Sequence, residues 1–399
     1  MNQRPTLLFY CQHAMGMGHL VRSLALATAL MERFRVVFVN GGVMPTQIKL
    51  PDGLELINLP PLGLDDGYLV SRDGADVEQA KTDRRQIILK SFRTLQPEVL
   101  LIELFPFGRK KFEFELLPLL DEAKNQPEPA LVLCSIRDIL VSRLSNQAKF
   151  EERAVAVANR YFDAILVHAD STFARLEESL RDCDRLTPTV HYSGFVTATR
   201  PERASTVKRG SVLVSAGGGL YGAPLFKTVI AAGALLTKAN DPELKVVAGP
   251  FFPDVEWEAL RSAADDASGI ELVRSVSDLF EEMCGASASI SQCGYNTALE
   301  ILQTGVSALV VPFADRGEDE QIKRARRLEG LGVVRVMDQN NLTPERMAEE
   351  IRALPHFQPK ALQLNMNGAQ CSADIVETLA HARTSSAYRQ ASGVSSSLE

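Results

Sequence analysis

Little in this chain asks for covalent staples, a membrane or a polyanionic partner. The six cysteines (Cys11, Cys134, Cys183, Cys284, Cys293 and Cys371) are scattered, with no CxxC pair and no zinc-finger spacing. That excludes a disulfide framework or a zinc ribbon and predicts reduced thiols in a cytoplasmic protein. No apolar run approaches the ~20 residues that a membrane-spanning helix requires, so any membrane contact is expected to be peripheral. The opening MNQRPTLLFYC runs straight into a strand and lacks the cleavage pattern of a signal peptide. Positive charge is scarce as well: 43 Lys and Arg against 50 Asp and Glu leave a net charge of -7, which removes bulk attraction to nucleic acid or an anionic surface. The Walker lysine pattern is missing, so the ATPase reading loses its defining residue.

What is present is the balance of a globular protein: 399 residues, 45% hydrophobic and 23% charged, enough chain for two domains with separate cores. Short apolar runs alternate with amphipathic stretches from end to end, the pattern of repeated βα units building parallel sheets, so the class is α/β. Strands are predicted at 6–10, 36–40, 54–59, 99–104, 130–136, 164–167 and 190–192, and again at 211–215, 245–247, 270–273, 288–290, 308–311 and 333–336. Between the two series, TATRPERASTVKRG (197–210) is polar and charged, as a linker is. The boundaries predicted are therefore an N-terminal domain over 1–197, a linker over 198–210, a C-terminal domain over 211–383 and a serine-rich disordered tail over 384–399. A last helix is predicted over 365–382, free to pack on either domain.

Three stretches carry chemistry. In LLFYCQHAMGMGHLVRS, Gly16 and Gly18 relax the backbone where a strand turns into a helix, letting main-chain N–H groups approach a ligand. His19 falls at that helix start, where the positive dipole end keeps an imidazole neutral, as a general base must be. In VLVSAGGGLYGAP, Gly217, Gly218 and Gly219 between a strand and a helix offer a nest of N–H donors for a diphosphate. In SQCGYNTALE, Gly294 permits a tight helix entry, Asn296 and Glu300 share one helix face, Glu300 suits a ribose diol, and Gln292 and Thr297 reach for phosphate oxygens. Further on, Glu320 and Gln321 open a helix with a carboxylate and an amide suited to sugar hydroxyls, and the basic run from Lys323 to Arg327 reads as solvated.

These motifs resemble the GT-B glycosyltransferases, especially relatives of the bacterial N-acetylglucosaminyltransferase that makes lipid II and the plant UDP-sugar glycosyltransferases. GMGHL at 16–20 is similar to the loop in which the plant enzymes carry their catalytic histidine, and QCGYNTALE at 292–300 resembles their HCGWNS…E donor signature, with Gln292 where histidine is usual. The resemblance implies two Rossmann-like domains facing a cleft, and transfer of a sugar from a nucleotide diphosphate sugar, UDP-linked in those families, to an acceptor hydroxyl. It implies inversion without metal or resident cofactor. It makes His19 the base, puts Glu103 where the plant enzymes orient their histidine, gives Glu300 the ribose and Glu320 with Gln321 the sugar, and places the main chain near Val276 against the nucleobase. Gly18 joins the donor contacts, and Arg22 and Arg109 are placed as acceptor contacts; Arg109 with Lys110 and Lys111 would suit an anionic acceptor. GMGHLVRS also resembles the GxGHxxR motif of the UDP-sugar hydrolase of pseudaminic acid synthesis, so hydrolysis is the alternative, followed by a UDP-sugar 2-epimerase and a non-catalytic nucleotide-sugar sensor. The partners implied are a nucleotide-sugar donor and an acceptor whose class the sequence leaves open.

Overall fold

Two parallel sheets organise the computed structural model, which describes residues 4–13, 17–46, 48–65, 67–142, 146–198, 210–265, 267–313 and 319–391. The first sheet has seven strands in the order β3-β2-β1-β6-β7-β8-β9. Its members are β1 (Thr6–Cys11), β2 (Arg35–Asn40), β3 (Glu55–Asn58), β6 (Val99–Glu103), β7 (Leu131–Arg137), β8 (Ala164–His168) and β9 (Thr189–Tyr192), with the small antiparallel pair β4 (Leu62–Asp65) and β5 (Tyr68–Ser71) beside it. Helices α1 (Gly18–Leu30), α2 (Val77–Leu95), α3 (Glu113–Asn125) and α4 (Gln147–Tyr161) connect these strands. Continuous apolar runs suit them because both faces of the sheet are covered. Along β1, Leu7 and Phe9 pack with α1 while Leu8 and Tyr10 face the opposite layer, the alternation that a strand imposes.

The second sheet has six strands in the order β12-β11-β10-β13-β14-β15. These are β10 (Val212–Ser215), β11 (Leu244–Val247), β12 (Ile270–Val273), β13 (Ala288–Ser291), β14 (Ala308–Val310) and β15 (Arg335–Val336), joined by α5 (Ala223–Gly233), α6 (Asp254–Asp265), α7 (Leu279–Gly285), α8 (Tyr295–Thr304), α9 (Glu320–Gly330) and α10 (Pro344–Ala353). Most of the linker, 199–209, lies outside the described residues. The apolar interior does not stop at the lobe boundary: Phe173 and Phe195 of the first lobe belong to the same buried cluster as Tyr295, Ala298 and Leu328 of the second.

Two expectations about the C-terminus need correction. The last helix, α11 (Gly368–Ala391), crosses back and packs on the N-terminal lobe, so the segment assigned to the second domain up to 383 does not belong wholly to it. Ala369, Ala373 and Val376 are buried with Leu7, Phe9 and Leu20, and Arg33 binds Asp374 and Glu377. The crossing is anchored where Phe195 N–H donates to Asn365 O at 2.7 Å and Gly368 N–H donates to Phe195 O at 2.9 Å. The tail expected from 384 is helical to Ala391; 392–399 lie outside the described residues.

Candidate active site between two switch points

In each sheet the strand order reverses once, between β1 and β6 in the first and between β10 and β13 in the second. Loops leaving the carboxyl ends of such a pair diverge to opposite sides and open a crevice, the usual ligand position in open α/β sheets. Every stretch singled out in the sequence leaves a sheet at one of these points or beside it. Gly18 and His19 follow β1, Glu103 ends β6, Gly217 to Gly219 follow β10, and Gln292 to Thr297 follow β13. Gly16 lies outside the described residues.

His19 is the second residue of α1, whose amino end carries neither a side-chain cap nor an acidic residue. Its Nδ1 lies 2.6 Å from Glu103 Oε1. An ionised carboxylate only accepts, so Nδ1 holds the ring proton and Nε2 keeps its lone pair. Burial lowers the His19 pKa to about 3, with Arg109 and Arg22 acting in the same direction against Glu103. Glu103 is wholly buried; burial would raise its carboxyl, but His19, Arg109 and Arg22 hold it well below the usual carboxylate range. Arg22 Nη2 donates to Glu103 Oε1 at 2.6 Å, and Arg109 Nη2 stands 3.5 Å from Oε2. With the ring neutral, one carboxylate and two guanidiniums leave this buried cluster one positive charge in excess, and the two guanidiniums add to the burial that keeps the imidazole unprotonated.

Across the crevice α8 points its amino end at the same space. Its N-cap is Gly294, with no side-chain cap and no acidic residue in the first turn, so its first N–H groups and the helix dipole remain for an anion. A Cβ built on Gly294 meets nothing within 4 Å, which means open cleft lies directly above the helix start. Asn296 Nδ2 donates to Gly18 O at 3.3 Å and ties this helix to the start of α1, while Glu300 sits half-buried one turn further along. Thr297 is buried.

The glycine loop divides its labour. Gly219 N–H closes a turn on Ala216 O at 2.9 Å, and a Cβ there would lie 2.2 Å from Ala248 O, so Gly219 serves backbone packing against the loop after β11. That removes its N–H from the expected diphosphate nest. The N–H groups of Gly217 and Gly218 have no acceptor among the described residues and remain for a ligand. Gln292 Nε2 donates to Tyr221 O at 3.0 Å, joining this loop to the one after β13. Val276 is half-buried between β12 and α7.

Two assignments shift. Glu320 was placed on sugar hydroxyls, yet its carboxylate is consumed by Arg137 Nη1 at 2.8 Å and Arg324 Nη2 at 3.0 Å. Arg22, placed on the acceptor, is only 3% exposed and committed to Glu103. Gln321 Oε1 accepts from Cys293 N–H and Phe313 N–H, each at 3.1 Å, and its amide NH2 has no acceptor among the described residues. The basic run is not wholly solvated either: Arg324 is 2% exposed, fork-bonded to Asp138 at 2.7 Å on both nitrogens and donating to Cys293 O at 2.8 Å. Sequence reasoning missed Asp138, Arg137 and Tyr295. The available signal was the i, i+4 spacing of Glu320 and Arg324, which puts both on one face of α9.

Comparison with known proteins agrees with this architecture. Residues 218–379 match the glycosyltransferase family 28 C-terminal domain. An N-acetylglucosamine transferase of Burkholderia thailandensis, acting by its name from UDP-N-acetylglucosamine on an N-acetylmuramyl-(pentapeptide) pyrophosphoryl-undecaprenol, is 32% identical over 157 residues, 39% of this chain and 43% of that protein. The chain thus spans less than half the length of this curated relative. Among solved structures, Acinetobacter baumannii MurG superposes with a TM-score of 0.55 at 17% identity, over 94% of this chain and 100% of that one. Phytolacca americana UGT2 with UDP-2fluoro-glucose and pterostilbene gives 0.60 at 15% identity, over 95% and 100%. Residues 218–379 of the second lobe thus resemble a glycosyltransferase family 28 C-terminal domain, and the chain as a whole shares the fold of these solved structures.

Proposed function

We propose that this protein transfers a sugar from a UDP-sugar to an acceptor hydroxyl, with inversion and without a metal. The observation that carries the reading is the neutral His19, held by Glu103 with Nε2 unprotonated, in a cleft it shares with the uncapped amino end of α8. The nucleotide diphosphate lies against the N–H groups of Gly217, Gly218 and the first turn of α8, where the dipole favours its charge, with Gln292 and Thr297 beside it and Glu300 on the ribose. Val276 meets the base, and Gln321 donates to the sugar.

In the reaction His19 Nε2 takes the proton of the acceptor hydroxyl as that oxygen attacks the anomeric carbon. The bond from that carbon to the diphosphate breaks, and the electron pair leaves with UDP. Attack opposite the leaving group inverts the anomeric centre. Arg109, 3.5 Å from Glu103 with its side chain 11% exposed beside the base, is the acceptor contact of the pair first assigned to that role. The acceptor is a small molecule, a glycan or a lipid-linked sugar. Contact with a membrane, if the acceptor is there, is from the surface, since no helix among the described residues is long and apolar enough to cross one.

The test begins with a thermal-shift screen of UDP-sugars, followed by UDP release with and without cell-extract acceptors. His19→Ala should lower turnover at least ~100-fold while UDP affinity stays within about twofold, because a base contributes to the transition state and not to donor binding. Unchanged turnover in that variant ends the assignment. Stoichiometric release of free sugar without acceptor selects the hydrolase alternative.

A further inference from the structure

Arg22 is buried among the reacting groups and the proposed chemistry gives it no task. It lies three residues after His19 on the same face of α1. Its Nη2 donates to Glu103 Oε1, the oxygen that also receives His19 Nδ1, and both distances are 2.6 Å. Its guanidinium carbon sits 5.3 Å from the ring centroid of Tyr295, the first residue of α8. Tyr295 is in turn fixed to the N-terminal lobe: its hydroxyl donates to His168 O at 2.9 Å and accepts from Val196 N–H at 3.0 Å. Arg324 approaches the same ring at 5.9 Å. A continuous series of contacts therefore runs from the donor helix through Tyr295, Arg22 and Glu103 to the imidazole, closed by the bond from Asn296 to Gly18 beside His19.

We propose that Arg22 is a positioning residue for the reaction: braced on Tyr295, it clamps Glu103 against His19 so that the base and the donor helix keep one register. This rests on His19 being the base. The clamp also has an electrostatic consequence. The titratable groups around His19 are Glu103 from β6, Arg109 from the loop after it, Arg22 from its own helix, Cys11 and His13 from β1 and its loop, Tyr295 from α8 and His168 from β8. Burial keeps Cys11 and Tyr295 protonated and uncharged, and keeps His13 and His168 neutral. The charges left among the described residues are one carboxylate and two guanidiniums. Losing Arg22 leaves Glu103 matched by Arg109 alone, so the imidazole feels more of the carboxylate and becomes easier to protonate.

The experiment uses the full chain and three substitutions, with UDP release from the UDP-sugar chosen by the thermal-shift screen and 13C-histidine NMR, the His19 signal assigned with His19→Gln. Arg22→Gln keeps an amide donor for Glu103 but removes the charge; Arg22→Lys restores the charge without the planar fork. Support is a kcat at least ~10-fold lower in Arg22→Gln with donor KM within about twofold, a His19 signal and an acid limb of the rate profile both displaced toward neutral pH, and return of that limb in Arg22→Lys. The proposal is overturned if Arg22→Gln binds UDP and keeps the wild-type kcat or the wild-type His19 titration while His19→Ala is inactive. A fully active His19→Ala instead marks failure of the base assignment itself. Should Arg22→Gln not fold, Tyr295→Leu decides: it leaves the charge but removes the brace, so the acid limb should stay while kcat falls, and an unchanged kcat refutes the clamp.

Discussion

An imidazole that must accept a proton is useless if already protonated, and this protein keeps His13, His19 and His168 from that state. His13 hydrogen-bonds Asn40 Oδ1 at 2.9 Å, His168 lies between Ser135 Oγ at 2.7 Å and Ser193 Oγ at 3.0 Å, and His19 meets Glu103. Burial lowers the pKa of all three, and of the partly exposed His191, below the ordinary 6.5, to about 3 for His19 and His168. The sign of the linkage follows: below that ordinary value the unfolded chain binds protons that the folded chain refuses, so stability is full above about pH 6.5 and falls as the solution is acidified. Each such group contributes a slope of about 1.4 kcal/mol per pH unit until its folded value is reached. Urea unfolding at pH 7.5, 6.0 and 5.0 should show this loss, and His168→Gln should make its slope shallower. An equal slope in that variant would mean His168 is protonated in the folded protein. His19 was legible in the sequence because a helix start marks it, whereas Glu103 was reached through the resemblance to the plant enzymes, whose orienting aspartate ends a similar strand. The burial of Arg22 was not legible, since what covers it is Tyr295, which arrives from the other lobe.

Among the elements, strands were easier to read than the turns between them. Runs such as LLFYC and VLLIE are apolar on both faces and admit no other interpretation, whereas the β4 and β5 pair, LGLD and YLVS, is short, partly exposed and went unread. Glycines were legible as a group, yet their separate duties depend on what each backbone touches. Gly219, at φ 93 and with Ala248 O only 2.2 Å from a built Cβ, is required for folding of the loop; Gly294, at φ -64 with open space above it, is not. The two should respond oppositely to alanine. Gly219→Ala is expected to lower the melting temperature, through strain and backbone collision together costing at least ~1 kcal/mol. Gly294→Ala should fold with a loss of about 1 kcal/mol or less, the cost of a poorer N-cap, while UDP affinity falls at least ~10-fold because the new methyl occupies the space of the diphosphate. Calorimetric titration of UDP into both proteins separates these outcomes, and equal UDP affinity in Gly294→Ala and wild type would place the diphosphate elsewhere.

At the scale of the molecule, buried charge crosses between the two lobes beside the apolar contact. Arg324 of α9 forks onto Asp138 behind β7, Arg137 at the end of β7 reaches Glu320, and Glu320 closes the square with Arg324. Two cations and two anions balance, and both Arg324 and Asp138 are nearly inaccessible to water. Periodicity could not reveal this, because a strand end at 138 and a helix at 324 become neighbours only when the lobes dock. Such a network gives little net stability compared with apolar packing but becomes costly once half of it is removed. Asp138→Asn leaves Arg324 buried beside an uncharged amide, and should cost about 3–5 kcal/mol in urea unfolding or in lobe docking. Small-angle scattering distinguishes the two, because undocking raises the radius of gyration before the sheets melt. The paired replacement Arg324→Met with Asp138→Leu removes both charges and should recover much of that loss. Recovery would identify the single-site penalty as an orphaned charge, and its absence would mean that the bond from Arg324 to Cys293 O within the second lobe, which no hydrophobic pair replaces, carries the loss.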